Sequence, residues 1–229
     1  MPGRLWAFLV AAATALVILG ASILPFTTPA YVRLEQDRTG VGSLTGYSGG
    51  ELDLVTNQIL ADLFLWRGDF SVGDADLGLV LNEREQGHMR DVRGVFAGFE
   101  LLVLASVVVL ALAFRRRPDS AARAALWRAV GSGGRGLVVA IAVAGAFAVF
   151  AFDAAFEVFH RLFFSAGSYT FDPRTDRLVQ LFPEQFWSET AIAVGAVAIV
   201  VAILTALLAA RRAGAARLAP VLSTSEART

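Results

Sequence analysis

Four long apolar runs divide a chain that is otherwise rich in polar and charged positions. They cover residues 5–24, 95–114, 137–159 and 191–210. Each run has about the twenty residues that an α-helix needs to cross a bilayer. The pattern therefore predicts an all-α membrane protein with four transmembrane helices. The first run also allows a signal-peptide interpretation, because Arg4 precedes it and Gly20-Ala21-Ser22 could be cleaved, although the apolar regions of signal peptides are usually shorter.

Arginines between the apolar runs predict the orientation of the chain. The segment 115–136 carries six of them against the single acid Asp119: Arg115, Arg116, Arg117, Arg123, Arg128 and Arg135. Further arginines precede the first run and follow the fourth. The positive-inside rule makes this segment a cytoplasmic loop and places both termini in the cytoplasm. The loops 25–94 and 161–190, and both histidines, then face outwards.

The composition along the chain predicts one integral membrane domain, residues 1–212, with a short tail. Residues 213–229 are rich in Ala, Ser and Arg and lack apolar periodicity, which predicts a disordered cytoplasmic tail. Within the cytoplasmic loop, the glycine-rich 131–134 stretch is interpreted as a flexible turn. Both extracytoplasmic loops are expected to be structured.

The first outer loop contains two signals for the start of a helix. Ser48 and Glu51 match a capping box, in which each side chain accepts a backbone N–H at the other end of the first turn. The apolar residues that follow recur at the spacing of an amphipathic helix: Leu52, Val55, Ile59, Leu60 and Leu63. We expect this helix to pack on the second outer loop. Asn82 and Glu85 repeat the capping pattern, and a helix is predicted to continue from there into the second transmembrane run.

The overall composition excludes several classes of chemistry. The chain has 229 residues, of which 56% are hydrophobic, and its formal net charge is zero. The chain therefore has no overall positive charge that would attract nucleic acid. There is no cysteine, which excludes disulfides, thiolate metal sites and a cysteine nucleophile.

The two histidines, His88 and His160, are the strongest candidates for chemistry. Each lies where an outer loop joins a membrane helix, so the two can converge at the depth of the lipid headgroups. Histidine titrates near neutrality and suits general acid–base catalysis. The alternative is that each imidazole is merely an interfacial side chain with a hydrogen bond.

Charged neighbours at helical spacing can support these histidines. The acids Asp153 and Glu157 share a helix face with His160, and Glu85 and Asp91 lie near His88; any of them could orient an imidazole or stabilise its charged form. Arginines at the same depth could hold an anionic headgroup or stabilise an oxyanion: Arg90, Arg93 and Arg161.

A metal site is the competing interpretation of the same residues. Glu85 with His88, and Glu157 with His160, both form Glu-x-x-His motifs, which di-metal helical bundles use in pairs. Such bundles need further carboxylates from two other helices, and the first apolar run has none. The sequence therefore predicts a site without metal or cofactor. The residues also allow a non-enzymatic protein that binds lipid or a partner through its outer loops, or a transporter.

Two segments resemble the four-helix membrane family that contains the lipoprotein intramolecular transacylases. The first is residues 82–92, NEREQGHMRDV. The second begins with FHRLFF at residues 159–164 and continues through Phe171-Asp172-Pro173 to LFPEQFW at residues 181–187. Both histidines fall at motif positions. Tyr169 stands where the family pattern leads us to expect tryptophan, so an aromatic wall is kept.

The resemblance implies a bacterial plasma-membrane acyltransferase whose substrates are diacylated lipoproteins. It would move the sn-2 acyl chain of a diacylglyceryl-cysteine to the α-amino group of the same cysteine, without a cofactor. It suggests His160 as the base and His88 as its partner, polarising the ester or returning the proton. Membrane lipid is the other expected partner, and nucleic acid is not expected.

Overall fold

The computed structural model describes residues 3–115, 119–165 and 167–226, and it is predominantly helical. The helices, in chain order, are α1 (Arg4–Ile23), a 3-10 turn (Leu24–Thr27), α2 (Pro29–Arg38), α3 (Val41–Thr45), α4 (Gly49–Leu65), α5 (Glu83–Arg115), α6 (Ser120–Phe150), α7 (Phe152–Phe163), α8 (Arg177–Leu181) and α9 (Glu184–Glu226). Two short antiparallel strands, β1 (Gly73–Asp74) and β2 (Gly78–Leu79), form a hairpin between α4 and α5.

The prediction of four transmembrane helices is confirmed. In the described part of the chain, four helical segments are long and apolar enough to cross a membrane: Arg4–Thr27, Glu83–Arg115, Ser120–Phe147 and Glu184–Ala216. α5 also begins at Glu83 and continues without interruption through the second apolar run, as the capping pattern at Asn82 predicts.

The chain forms two compact units. One, the membrane unit, takes its described residues from the segments Met1–Ser22, Glu100–Gly145 and Gly195–Thr229. The other, the loop unit, consists of Ile23–Phe99 and Ala146–Val194. Both histidines belong to the loop unit.

Glycines allow close helix packing inside the membrane unit. A Cβ at Gly133 would clash with the carbonyl oxygen of Ala11 on α1, and a Cβ at Gly134 would lie 2.7 Å from that of Ala202 on α9. Small residues at such positions let transmembrane helices approach closely. The expectation of a flexible turn at residues 131–134 was therefore wrong, because these glycines are packing positions within α6.

The third apolar run differs from the predicted single helix over 137–159. α6 begins much earlier, at Ser120, because the alanine- and arginine-rich stretch before the run favours helix. The helix is then interrupted at Ala151, whose φ of −150° and ψ of 56° are not helical, and α7 starts at Phe152. Alanine is the best helix former, so nothing in the local sequence marks this break.

The predicted tail also differs from expectation. α9 extends to Glu226, so the backbone of residues 213–226 is helical, while residues 227–229 lie outside the described part. The alanines and arginines up to Ala219 have high helix propensity and favour this continuation, whereas Pro220 and the serine- and threonine-rich residues after it do not.

The loop unit has its own hydrophobic core, to which both loops, residues 25–94 and 161–190, contribute. The capping box at the start of α4 is present, with the Ser48 N–H donating to Glu51 over 2.6 Å. The apolar face of α4 contributes Leu52 and Ile59 to a cluster that also contains Leu178 and Leu181 of α8. α4 and the second loop thus share one core, while α4 packs chiefly on α2, and α8 packs on α3.

Polar contacts fasten α2 to the first turns of α9 within the loop unit. Arg38 donates to Glu189 over 2.8 Å, and the hydroxyls of Tyr31 and Thr190 are 2.9 Å apart. Glu35 is buried beside this pair. Its burial and the neighbouring Glu189 side chain raise the pKa of Glu35 above its ordinary value.

Candidate active site

The structure brings the two histidines together. His88 is on the second turn of α5 and His160 is near the end of α7. Their ring centroids are 6.0 Å apart and their planes differ by 23°. Both side chains are buried.

A backbone carbonyl fixes the orientation of the His160 ring. Its Nδ1 lies 2.8 Å from the carbonyl oxygen of Phe156, one helical turn earlier. A carbonyl only accepts hydrogen bonds, so in the neutral ring Nδ1 carries the proton and Nε2 has the free lone pair. The Phe156 ring, with its centroid 3.9 Å from that of His160, and the Tyr169 ring, at 5.0 Å, pack against the imidazole. In the neutral ring, Nε2 is thus the nitrogen that can accept a proton.

His88 has a different environment, made of aromatic rings. Phe164 lies 4.8 Å from it and Phe171 lies 5.5 Å from it, measured between centroids, and both contacts are edge-on. Phe164 also contacts His160, at 5.4 Å. The Nδ1 of His88 is buried and accepts or donates no hydrogen bond among the described residues. A buried polar atom without a partner is costly, and it is available to a bound ligand.

An open cleft of about 400 Å³ lies beside His160 in the loop unit. Its lining includes Glu157, Arg161, Phe164 and Tyr169. The Arg161 Nε donates to Glu157 over 2.6 Å, and the Tyr169 hydroxyl donates to the same carboxylate oxygen over 3.3 Å. The hydrogen bond to Glu157 raises the pKa of Arg161, which stays charged. The cleft therefore presents both charge signs next to an imidazole.

Glu85, predicted as a support for His88, lies at a structural position instead. It is only 1% exposed, and its two carboxylate oxygens accept the backbone N–H groups of Asn82, over 2.7 Å, and of Leu178, over 2.6 Å. It therefore caps α5 and joins it to α8. This also weakens the metal interpretation, because both oxygens of one Glu-x-x-His carboxylate already accept backbone N–H groups. No group of three or more potential ligands lies close enough to hold a metal within the part of the chain that the structure describes.

Three other predicted supporting residues, Arg90, Arg93 and Asp153, make no described contact with either imidazole, whereas the charge of Asp91 acts on His88 electrostatically. Arg90 and Arg93 both pair with Asp69, over 3.1 and 3.2 Å, and so fasten the loop after α4 to α5. Asp91 and Asp153 are exposed. Neither aspartate makes a side-chain hydrogen bond or ion pair to another described residue.

One element of the site was missed in the sequence analysis. Asp176 is largely buried and accepts from Arg84, over 2.7 Å, and from the backbone N–H of Asp172, also over 2.7 Å. The Arg84 guanidinium lies 5.0 Å above the Phe171 ring, which in turn contacts His88. These contacts hold the loop of residues 161–190 against α5. An isolated aspartate in a turn-rich segment carries no sequence signal for such a role.

The fold and the site together define a class of protein. It is a helical membrane protein with paired buried histidines beside an open polar cleft. The sequence matches the family described as "Lipoprotein intramolecular transacylase Lit" over residues 8–187, and the chain belongs to this family. Membership makes the chain a membrane acyltransferase and confirms the resemblance. A comparison with curated proteins found no match.

Solved structures support the same fold. The structure of the membrane-integral lipoprotein intramolecular transacylase Lit from Bacillus cereus is 17% identical, with a TM-score of 0.74, and the match covers 94% of this chain and 97% of that one. A form of the Bacillus cereus protein with one histidine replaced by arginine is 18% identical, with a TM-score of 0.72 and coverage of 94% of both chains. A third structure has a histidine replaced by alanine, with the same identity and TM-score, and covers 94% of this chain and 95% of that one.

Proposed function

We propose that this protein moves the sn-2 acyl chain of a diacylglyceryl-cysteine lipoprotein to the α-amino group of the same cysteine, leaving a lyso-form lipoprotein. The observation that carries the proposal is the buried pair of His88 and His160, whose ring centroids are 6.0 Å apart beside a polar cleft. Family membership supplies the class of substrate.

The proposed reaction starts at Nε2 of His160. The α-amino group has a pKa of about 7.7–8.0, so a modest base can keep it neutral and take its proton during attack. The amine nitrogen bonds to the carbonyl carbon of the sn-2 ester. The resulting tetrahedral intermediate collapses when the bond from carbon to the glyceryl oxygen breaks. That oxygen takes the proton and leaves as a hydroxyl, while the acyl chain remains as an amide.

The other residues at the cleft have supporting roles in this proposal. His88 polarises the ester or returns the proton from its place next to His160. Donors such as Arg161 and the Tyr169 hydroxyl are suited to a developing oxyanion, and Glu157 is suited to an ammonium group. Phe164, in contact with both imidazoles, excludes water from between them.

The active site is proposed to face outwards, with both termini in the cytoplasm of a bacterial cell. This orientation rests on the arginines between α5 and α6 and after α9. It brings the histidine pair to the membrane surface where the ester and amine of a lipid-anchored protein are found.

The experiment that tests the function compares wild type with His160→Ala in a host whose lipoproteins have a free N-terminus. Wild type should give N-acylated, lyso-form peptides by mass spectrometry. His160→Ala should lower the rate by about 10²–10⁴, the usual contribution of a positioned general base. Asp153→Asn, an exposed change on the same helix, is the control and should convert lipoproteins at the wild-type rate. Full conversion by His160→Ala at normal membrane abundance would refute the proposal.

A further inference from the structure

A second concave site lies in the membrane unit, on the surface formed by α6 and α9. It is a groove of about 460 Å³, lined by Val138 and Val139 of α6 and by Ile203 and Leu207 of α9, with Arg135 among its lining residues. The apolar side chains are well exposed: Val139 by 63% and Leu207 by 58%. The groove is distinct from the histidine site, which lies in the loop unit.

The arginine in this groove lacks an acidic partner. Arg135 is exposed, and no carboxylate of the described chain forms an ion pair with it. Its Nη1 lies 3.2 Å from the position that a Cβ at Gly131 would occupy, so the guanidinium rests over a glycine, close to Ala209 of α9. A charged group in a membrane helix is costly unless something neutralises it. The charge of Arg135 is therefore available to an anion from outside the described chain.

The position of the groove along both helices suggests where that charge comes from. Arg135 lies at the start of the apolar run of α6, and the groove-lining Ala210 lies at the end of the apolar run of α9, directly before Arg211 and Arg212. Both helices thus turn from polar to apolar sequence at this site, as they do where a membrane helix meets the lipid headgroups. Basic pockets between transmembrane helices at this depth bind anionic headgroups.

We infer that this groove binds an anionic phospholipid, with its phosphate on Arg135 and an acyl chain along the apolar walls. An apolar groove by itself does not select a lipid, because lipid tails are as apolar as the side chains that line it. Selectivity therefore depends on the charge of the headgroup. The planar guanidinium can donate two parallel hydrogen bonds to a phosphate, which a zwitterionic headgroup partly neutralises with its own cation.

The test is competitive lipid binding by the full-length protein, purified in detergent and measured by native mass spectrometry. The probes are phosphatidylglycerol and phosphatidylcholine with identical acyl chains in equal amounts. Wild type should retain phosphatidylglycerol in about five-fold excess, the usual effect of one arginine near an anionic surface. Arg135→Gln should retain both lipids equally. Val139→Trp, which fills the groove from an exposed position, should lower the retention of both.

Arg115→Gln is the matched control. Arg115 is an exposed arginine at the end of α5 that does not line the groove, so its removal should leave the five-fold preference intact. Equal retention by wild type, an unchanged preference in Arg135→Gln, or an equal loss in Arg115→Gln would overturn the inference. A lipid-free dimer that Val139→Trp dissociates would also overturn it, since a second copy would then occupy the groove.

Discussion

Substitution of Glu85 distinguishes a structural role of the Glu-x-x-His motif from a catalytic one. Its carboxylate accepts two short hydrogen bonds from backbone N–H groups and is almost fully buried. Glu85→Gln keeps the shape but turns one acceptor into a donor that faces a backbone N–H. A hydrogen bond to a charged group contributes about 1.5–3 kcal/mol. We therefore expect the junction between α5 and α8 to lose about that much local stability.

Hydrogen exchange at Leu178 measures this loss directly, because its N–H is the donor to Glu85. At about 1.4 kcal/mol for each factor of ten, exchange should become about ten- to a hundred-fold faster in Glu85→Gln. The control is Glu83→Gln, an exposed carboxylate in the same helical turn, which should leave exchange unchanged. The kcat of correctly folded Glu85→Gln should stay within a few-fold of wild type. Unchanged exchange combined with a large loss of kcat would show that Glu85 acts on His88 and would refute this reasoning.

Three further changes test other parts of the structure. Asp176→Asn weakens the bond to Arg84 and should cost about 1.5–3 kcal/mol or less, since Arg84 is half exposed; thermal unfolding monitored by size-exclusion chromatography measures it. Phe164→Ala empties the space between the imidazoles and should lower both kcat and stability, the latter by about 3–5 kcal/mol; equal activity would contradict its role. Because the chain has no cysteine, Asp76→Cys should react with an impermeant maleimide in intact cells and Ala121→Cys only after lysis; the reverse would invert the proposed orientation.

The sequence was sufficient to predict those parts of the fold that depend on local patterns. Apolar run length identifies the four spans, and the capping residues at Ser48 and Asn82 locate the starts of α4 and α5. The break at Ala151 could not be predicted, because alanine itself favours helix. The glycines of α6 look like a turn until the neighbouring helices that pack on them are known.

The site, like the fold, could be predicted only in part. The pairing of His88 with His160 could be anticipated from their equivalent positions at helix ends. The partners of the surrounding charges could not, because helical spacing gives the face on which a side chain lies and not what packs there. Glu85 accepts a hydrogen bond from the backbone N–H of Leu178, which is far away in sequence, and Arg93 forms an ion pair with Asp69. Only the folded loop unit determines those distances.

Transfer within a single molecule is the central claim, and a crossover measurement tests it most directly. One lipoprotein carries a deuterated sn-2 acyl chain, and a second, with a distinguishable N-terminal peptide, carries an unlabelled one. Both are mixed with the purified protein and analysed by mass spectrometry. We expect the deuterated chain to appear only as the N-acyl group of its own peptide, with the number of acyl chains per lipoprotein unchanged. Label on the second peptide, or a gain of one acyl chain, would contradict the account.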